Sequence, residues 1–374
     1  MLSARGQRKL PGPMAGANSR RLHMAPIRFR SSTVADEPAI RALLQEAHGF
    51  TAVHPTLAHR HLCWKYWEPR PDWRGSRSFL LTRDAQIVAH AAVVPAACSG
   101  GNERLQLLHV IDWAARAQAR GAGNALMQHI GTLGDAIVTA SGSEQAWPLL
   151  PLMGFAESNT VVTQYARPIR PLLYLRQAHE ARRWRLAARC LRNMYWALRA
   201  PSGTAPARQA RRIAREEVAA ARLPWPAARH GGAVLERSAD IMSYWLQCPA
   251  LPMELYAVEN DAHTQGYFVL AFAPAQARLA DCWLDCERPE AWEALVQLAV
   301  RQAARHADVA EVVAVCSEPL LARALQRCGF HARGARPLMV RAGAGVRFPA
   351  AGIRIQMLDD DAAYRHSGSS GLWA

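Results

Sequence analysis

Lysine is nearly missing from this chain of 374 residues, with Lys9 and Lys65 its only two. The formal charge of +15 is therefore an arginine charge, and beside so much alanine it reads as coding bias rather than selection for an anionic partner. No Cys-x-x-Cys pair occurs among the eight cysteines, and Cys282-x-x-x-Cys286 has no histidine at zinc-finger spacing. That excludes the common structural zinc modules and leaves scattered thiols of the kind kept reduced in a cytoplasmic setting; no metal is expected. No run reaches the ~20 apolar residues of a membrane-spanning helix, since Ile87 to Cys98 is short and contains His90 and Pro95. Residues 1–30 lack the apolar core of a secretory signal. Half the residues are apolar, which supplies core enough for two domains of roughly 150 residues each.

Against these absences one segment stands out. Arg120-Gly121-Ala122-Gly123-Asn124-Ala125 follows an apolar run from Leu105 to Ala115 and opens a stretch with helical spacing through Ile130. A strand, a glycine-bearing turn and a helix present backbone N–H groups to a pyrophosphate. Glycine allows close approach and positive φ, and Arg120 adds a charge-assisted contact. A register beginning at Gln118 fits the same spacing; the Arg120 register leaves the strand its usual length. Ala136 to Ala140 then reads as a strand, and a second helix is expected to end before Gly154-Phe155.

This order resembles the GNAT superfamily of acyl-CoA-dependent N-acyltransferases, through the R-x-x-G-x-A loop at Arg120 to Ala125, the Gly154-Phe155 pair and the spacing between them. Ile87 to Val94 is similar to the family's early hairpin strand, and Trp64-Lys65-Tyr66 to a W-K-Y segment of some members. The resemblance implies an α/β fold with a mixed sheet and acetyl-CoA or another acyl-CoA as co-substrate. It implies pantetheine pairing near Ala115 and pyrophosphate on the amides of Gly121, Ala122, Gly123, Asn124 and Ala125. An amine would attack the thioester directly, with a base and an acid moving protons. Family positions for an Asn and an acidic Tyr fall here on Ser143 and Leu150. Ser143 keeps a hydrogen bond within reach, whereas Leu150 cannot donate a proton. Asp112 and His109 are the first candidates for the base, with His90 and Glu144 behind them. A carboxylate in an apolar strand needs a partner or a shifted pKa, and an ion pair to a neighbouring arginine would equally explain Asp112.

The rest of the chain divides around this unit. Residues 1–26 read as a disordered basic leader and 27–168 as the acyl-CoA-binding domain. Residues 169–232 read as an Arg-rich helical linker, in which Trp184, Leu191, Met194, Tyr195 and Leu198 fall at helical spacing between arginines such as Arg182, Arg185 and Arg189. That helix packs its apolar stripe on a neighbour, lies on an anionic membrane surface, or touches a polyanion. No recognised nucleic-acid module surrounds it, and no specific nucleic-acid partner is expected. Residues 233–342 repeat the first unit's order, ending in Cys328-Gly329-Phe330. Asp285-Cys286-Glu287-Arg288-Pro289-Glu290 stands where the first unit has its loop. Without glycine and with three acids, that second unit is expected to bind no cofactor. Residues 343–374 read as a strand and tail carrying Asp359-Asp360-Asp361, which adds an edge strand or closes over a cleft. The resemblance extends to tandem transferases of surface-polysaccharide pathways, implying a small-molecule or sugar amine as acceptor.

Overall fold

Period-two alternation along the first strands sets the layers of the molecule. The computed structural model describes residues 27–100, 103–142, 144, 146–173, 183–199, 208–228, 232–260, 263–349 and 351–365. Strand β1 (Arg28–Ser31) leads to helix α1 (Glu37–His48), which has Pro38 in its first turn and closes on Gly49. A short helix, α2 (His59–Leu62), runs into a π-helical turn, Cys63–Trp67. Strands β2 (Ser78–Arg83), β3 (Gln86–Gly100) and β4 (Glu103–Ala115) follow. Leu80, Ala92 and Ile111 pack with Ile40, Leu43 and Leu44 of α1, which share one helical stripe. The alternate residues Phe79, Leu81, Ala91, Val93 and Val110 pack instead with Leu126, Met127 and Ile130 of α3 (Ala122–Ile130). A helix thus covers each face, and each buried side chain of this kind contributes roughly 1.5–3 kcal/mol.

Strand β5 (Ala136–Thr139) follows α3. The stretch before Gly154 is not the helix expected there but two 3-10 turns, Trp147–Leu149 and Pro151–Met153. Pro148 and Pro151 each lack the N–H that a continuous α-helix requires. After β6 (Ala156–Pro168), helix α4 (Arg183–Arg199) occupies part of the Arg-rich stretch. Its inward side is Cys190 and Asn193, while Trp184, Leu191 and Leu198 are 65, 68 and 84 % exposed. The apolar stripe therefore faces outward, against the first of the three alternatives, packing on a neighbour. Arg182 lies outside the described residues.

The chain continues through β7 (Gln209–Ile213), β8 (Ala233–Leu235), α5 (Ala239–Trp245), β9 (Met253–Asn260), β10 (His263–Ala273) and β11 (Gln276–Leu284). Then come α6 (Pro289–Ala304), β12 (Glu311–Cys316), α7 (Pro319–Arg327), β13 (His331–Ala342) and β14 (Ile353–Arg354). The architecture is α/β with one large mixed sheet, ordered β1-β2-β3-β4-β5-β13-β6-β12-β11-β10-β9-β7, with β8 joining β3 to β14. Strand β4 runs parallel to β5, and β11 parallel to β12. Gly154 and Gly329 make left-handed turns at φ 85° and 80° before the buried Phe155 and Phe330. The strands that follow these turns are exchanged: β13 pairs with β5, β6 with β12, and the two pair with each other. No helix among the described residues is long and apolar enough to cross a membrane.

Candidate active site

Strands β4 and β5 pair only from Leu107–His109 against Ala136–Val138. Beyond that they diverge, and among the described residues Val110 to Ala115 pair only with β3. The wedge between them is a cleft of about 200 Å³ lined by Trp113, Met127, Thr139, Ser141, Asp361 and Arg365, among others. A bulge sits at its edge. His90 pairs with Ala114 and Ala92 with Ile111, so Asp112 and Trp113 together oppose Ala91, and Asp112 takes φ 50°. Leu150, which the resemblance sets at the acid position, is buried and lines the same cleft.

The bulge aims Asp112 inward at a buried network. Tyr66 donates to its Oδ2 at 2.6 Å, and Lys65 Nζ lies 2.6 Å from the same oxygen and 3.4 Å from Asp361 Oδ2. The π-helical turn makes this possible by turning Trp64, Lys65 and Tyr66 all into the interior. Burial alone would push the Asp112 carboxyl up, but Lys65, with its hydrogen bond and that of Tyr66, holds it below the usual carboxylate range. Burial likewise opposes the charge of Lys65, and the two aspartates outweigh it. The partner of Asp112 is thus a lysine rather than an arginine, and the pair keeps the carboxylate ionised. His90 is a hydrogen-bonded core residue, between Ser78 Oγ at 2.9 Å and the Asp112 carbonyl at 3.0 Å.

Ala115 ends β4 on the diverging edge. Arg120 is exposed, with no hydrogen bond or ion pair among the described residues. Gly121 caps α3 at φ 78°, ψ −9°, the positive φ that its position requires. Ala122 and Gly123 are buried in the first turn, while Asn124 is exposed and Ala125 half-buried. Gly123 answers to packing: a Cβ there would stand 3.0 Å from the indole of Trp113, whose Nε1 donates to the Gly123 carbonyl at 3.3 Å. This contact ties the first turn of α3 to the wedge. Ser143 lies outside the described residues.

A second cleft of about 570 Å³ shares Ser141 with the first and is lined by Glu144, Gln164, Asn193, Trp196, Glu311, Arg333 and Asp360, among others. His109, one of the two leading base candidates, is buried at the point where β4 and β5 part, with its Nε2 3.8 Å from Asp360 Oδ2. Sequence reasoning allowed the tail to close over a cleft but assigned none of its residues to the site. The triple aspartate is its only local signal, and nothing in one sequence shows that this turn folds back against β4. Metal-ligating residue types gather at one place among the described residues, Glu37, His59 and Cys63. They lie toward the opposite end of α1 from His48, which lines the wedge.

The corresponding wedge of the second half is filled. Strands β11 and β12 pair from Gln276–Leu279 against Glu311–Ala314 and then part. The side chain of Gln356 enters between them, accepting from Cys282 N–H at 3.0 Å and donating to the Cys282 carbonyl at 3.0 Å. Arg354 also donates to that carbonyl, and its guanidinium lies over Trp283 at 4.5 Å.

Family models and curated proteins give no match to this sequence. Solved structures do. A GCN5-related N-acetyltransferase from Anabaena variabilis aligns with TM-score 0.54 at 10 % identity, over 85 % of this chain and 73 % of its own. One from Kribbella flavida gives 0.52 at 13 %, over 85 % and 71 %. Saccharomyces cerevisiae N-myristoyltransferase, solved with myristoyl-CoA and inhibitors, gives 0.52 at 12 %, over 98 % and 89 %. At these identities the likeness is one of fold, and the chain is built on the GCN5-related N-acetyltransferase fold.

Proposed function

We propose that the chain is an acyl-CoA-dependent N-acyltransferase, with acetyl-CoA as donor and a primary amine as acceptor. The observation that carries this reading is the wedge beyond His109, where a bare strand edge meets the glycine-capped first turn of α3. Unpaired strand N–H and C=O groups suit the amides of pantetheine, and the helix N-terminus with Arg120 suits a pyrophosphate. Acyl-CoA brings the activated thioester; the protein's part is to orient it and to handle protons. We read residues 27–168 as the binding unit and 233–342 as a second unit whose own wedge is closed. The acceptor we favour is an amino sugar, because the larger cleft combines hydrogen-bonding groups such as Gln164 and Asn193 with Trp196. Eight unpaired cysteines fit work in the cytoplasm.

Thermal unfolding with and without acetyl-CoA tests the donor. Stabilisation of about 3 kcal/mol is expected at a hundred times Kd, and none at all would end the reading. Should acetyl-CoA bind while no primary amine releases CoA thiol, the protein is a CoA-binding scaffold, which the apolar Leu150 at the acid position would suit. A second activity rests on α4, whose exposed Trp184, Leu191 and Leu198 accompany an arginine-rich sequence. Contact with an anionic membrane surface follows from that pairing. Flotation with phosphatidylserine vesicles should carry the wild type and not Leu191→Glu/Leu198→Glu; equal flotation would dismiss it.

A further inference from the structure

The tail turn carries three consecutive buried aspartates, and cations meet the outer two. Arg237 pairs with Asp359, and Lys65 Nζ lies 3.4 Å from Asp361. Among the described residues Asp360 has no arginine or lysine ion-pair partner. Its Oδ1 accepts from Ala362 N–H at 2.5 Å, and its Oδ2 stands 3.8 Å from His109 Nε2. Among the described residues neither ring nitrogen of His109 has a hydrogen-bond partner, although the side chain is only 2 % exposed. Asp360 lines the larger cleft, Asp361 lines the wedge, and Ser141 lines both. The turn therefore stands at the wall between donor and acceptor cavities. A buried carboxyl without a cation is costly unless a proton or a ligand completes it.

Building on the acyl-transfer reading, we propose that Asp360, positioned by His109, is the general base that takes the proton from the acceptor ammonium. An ammonium arriving in the larger cleft supplies the cation that the turn lacks, so the carboxylate is ionised with acceptor bound. Burial, with Asp361 and Asp359 nearby, pushes the Asp360 carboxyl well above the usual range against the opposing Ala362 N–H and Arg365. High proton affinity is what a base needs. The acceptor R–NH3⁺ gives one proton to Asp360, and its freed lone pair forms the C–N bond at the thioester carbonyl. The C–S bond breaks, the thiolate takes the second nitrogen proton through solvent, and Asp360 sheds its proton to solvent as the amide leaves. His109, pressed to a pKa of about 4 mainly by burial, stays neutral and has an N–H to orient the carboxylate. The 3.8 Å gap is of the kind that closes when substrate binds.

Asp360→Asn tests this. A folded-state pKa above the unfolded value near 4 contributes stability below that value and loses it as pH rises. The variant should therefore unfold at a higher temperature than wild type at pH 7, with the gap closing toward about pH 4. Its shift with acetyl-CoA should persist. CoA-thiol release with glucosamine, or with the fastest of a panel of primary amines, should fall about 100-fold or more. With O-methylhydroxylamine, unprotonated at neutral pH, the loss should shrink below about tenfold, which a merely structural defect would not produce. Transfer kept within about threefold, or equal loss with both kinds of acceptor, overturns the proposal. If Asp360→Asn does not fold, His109→Gln decides by the same acceptor comparison. Wild type that binds no acetyl-CoA would fail the acyl-transfer reading first; wild type that transfers, with an unaltered Asp360→Asn, fails this inference alone.

Discussion

The wedge between β4 and β5 is a cleft, and the wedge between β11 and β12 is occupied by the chain's own Gln356. Both arise the same way, from parallel strands that pair over three or four residues and then part. Parting bares backbone N–H and C=O groups, which must find partners somewhere. In the second half a side-chain amide satisfies Cys282 at both its N–H and its carbonyl. In the first half, among the described residues, Val110 to Ala115 pair only with β3 and their other edge borders a cleft. The flanking parts agree. Asp112 joins Tyr66, Lys65 and Asp361, while Asp281 joins Tyr267, Arg237 and Asp359. The two wedges are built alike and differ in that one is open and the other is filled by Gln356.

If the two charge networks are equivalent, breaking either should cost alike, and this is the largest effect we expect. Lys65→Met leaves Asp112 and Asp361 buried without their cation, and Arg237→Met does the same to Asp281 and Asp359. Removing one partner of a buried pair costs about 3–5 kcal/mol. Denaturant titration should give losses of that size for both variants. A loss confined to one would mean that only one half depends on the tail.

The next test separates the wedges. Gln356→Ala takes from the Cys282 N–H its side-chain acceptor, while Arg354 still donates to the carbonyl, and an unmet buried group costs about 1–3 kcal/mol. Stability should fall by that amount, with acetyl-CoA stoichiometry unchanged at one per chain. A second bound equivalent would show that Gln356 alone closes the second site, against the acid-bearing loop Asp285 to Glu290.

How much of this could be read beforehand divides along range of contact. The strand–turn–helix around Gly121 was legible because its signals are local: an apolar run, a residue that needs positive φ, and helical spacing. The reason for Gly123 was not, since its neighbour Trp113 approaches only once β4 bulges. The missing helix before Gly154 could have been read from Pro148 and Pro151. Asp112 advertised a partner, yet Lys65 lies 47 positions away and reaches it through a π-helical turn that no spacing rule announces. Least legible was the tail. Gln356 and Asp360 act more than 70 and 250 residues from Cys282 and His109, and the exchange of β6 and β13 that brings the halves together leaves no local trace.

The smallest expected effect is also the sharpest on the difference between the loops. Arg120 and Arg288 are both exposed arginines immediately before the first turn of a helix that follows a wedge strand. If the glycine-capped loop alone meets the pyrophosphate, Arg120→Glu should weaken acetyl-CoA binding by about 1–2 kcal/mol, roughly tenfold in Kd. Arg288→Glu should leave it within about twofold, because a surface charge acting at long range is screened. Neither substitution touches a buried partner, so both proteins should unfold at the wild-type temperature without ligand. Raising salt from 50 mM to 500 mM should narrow the Arg120→Glu deficit, as screening weakens the contact it removed. Equal losses from both arginines would instead assign the effect to the overall basic charge, and the loops would lose their claim to differ.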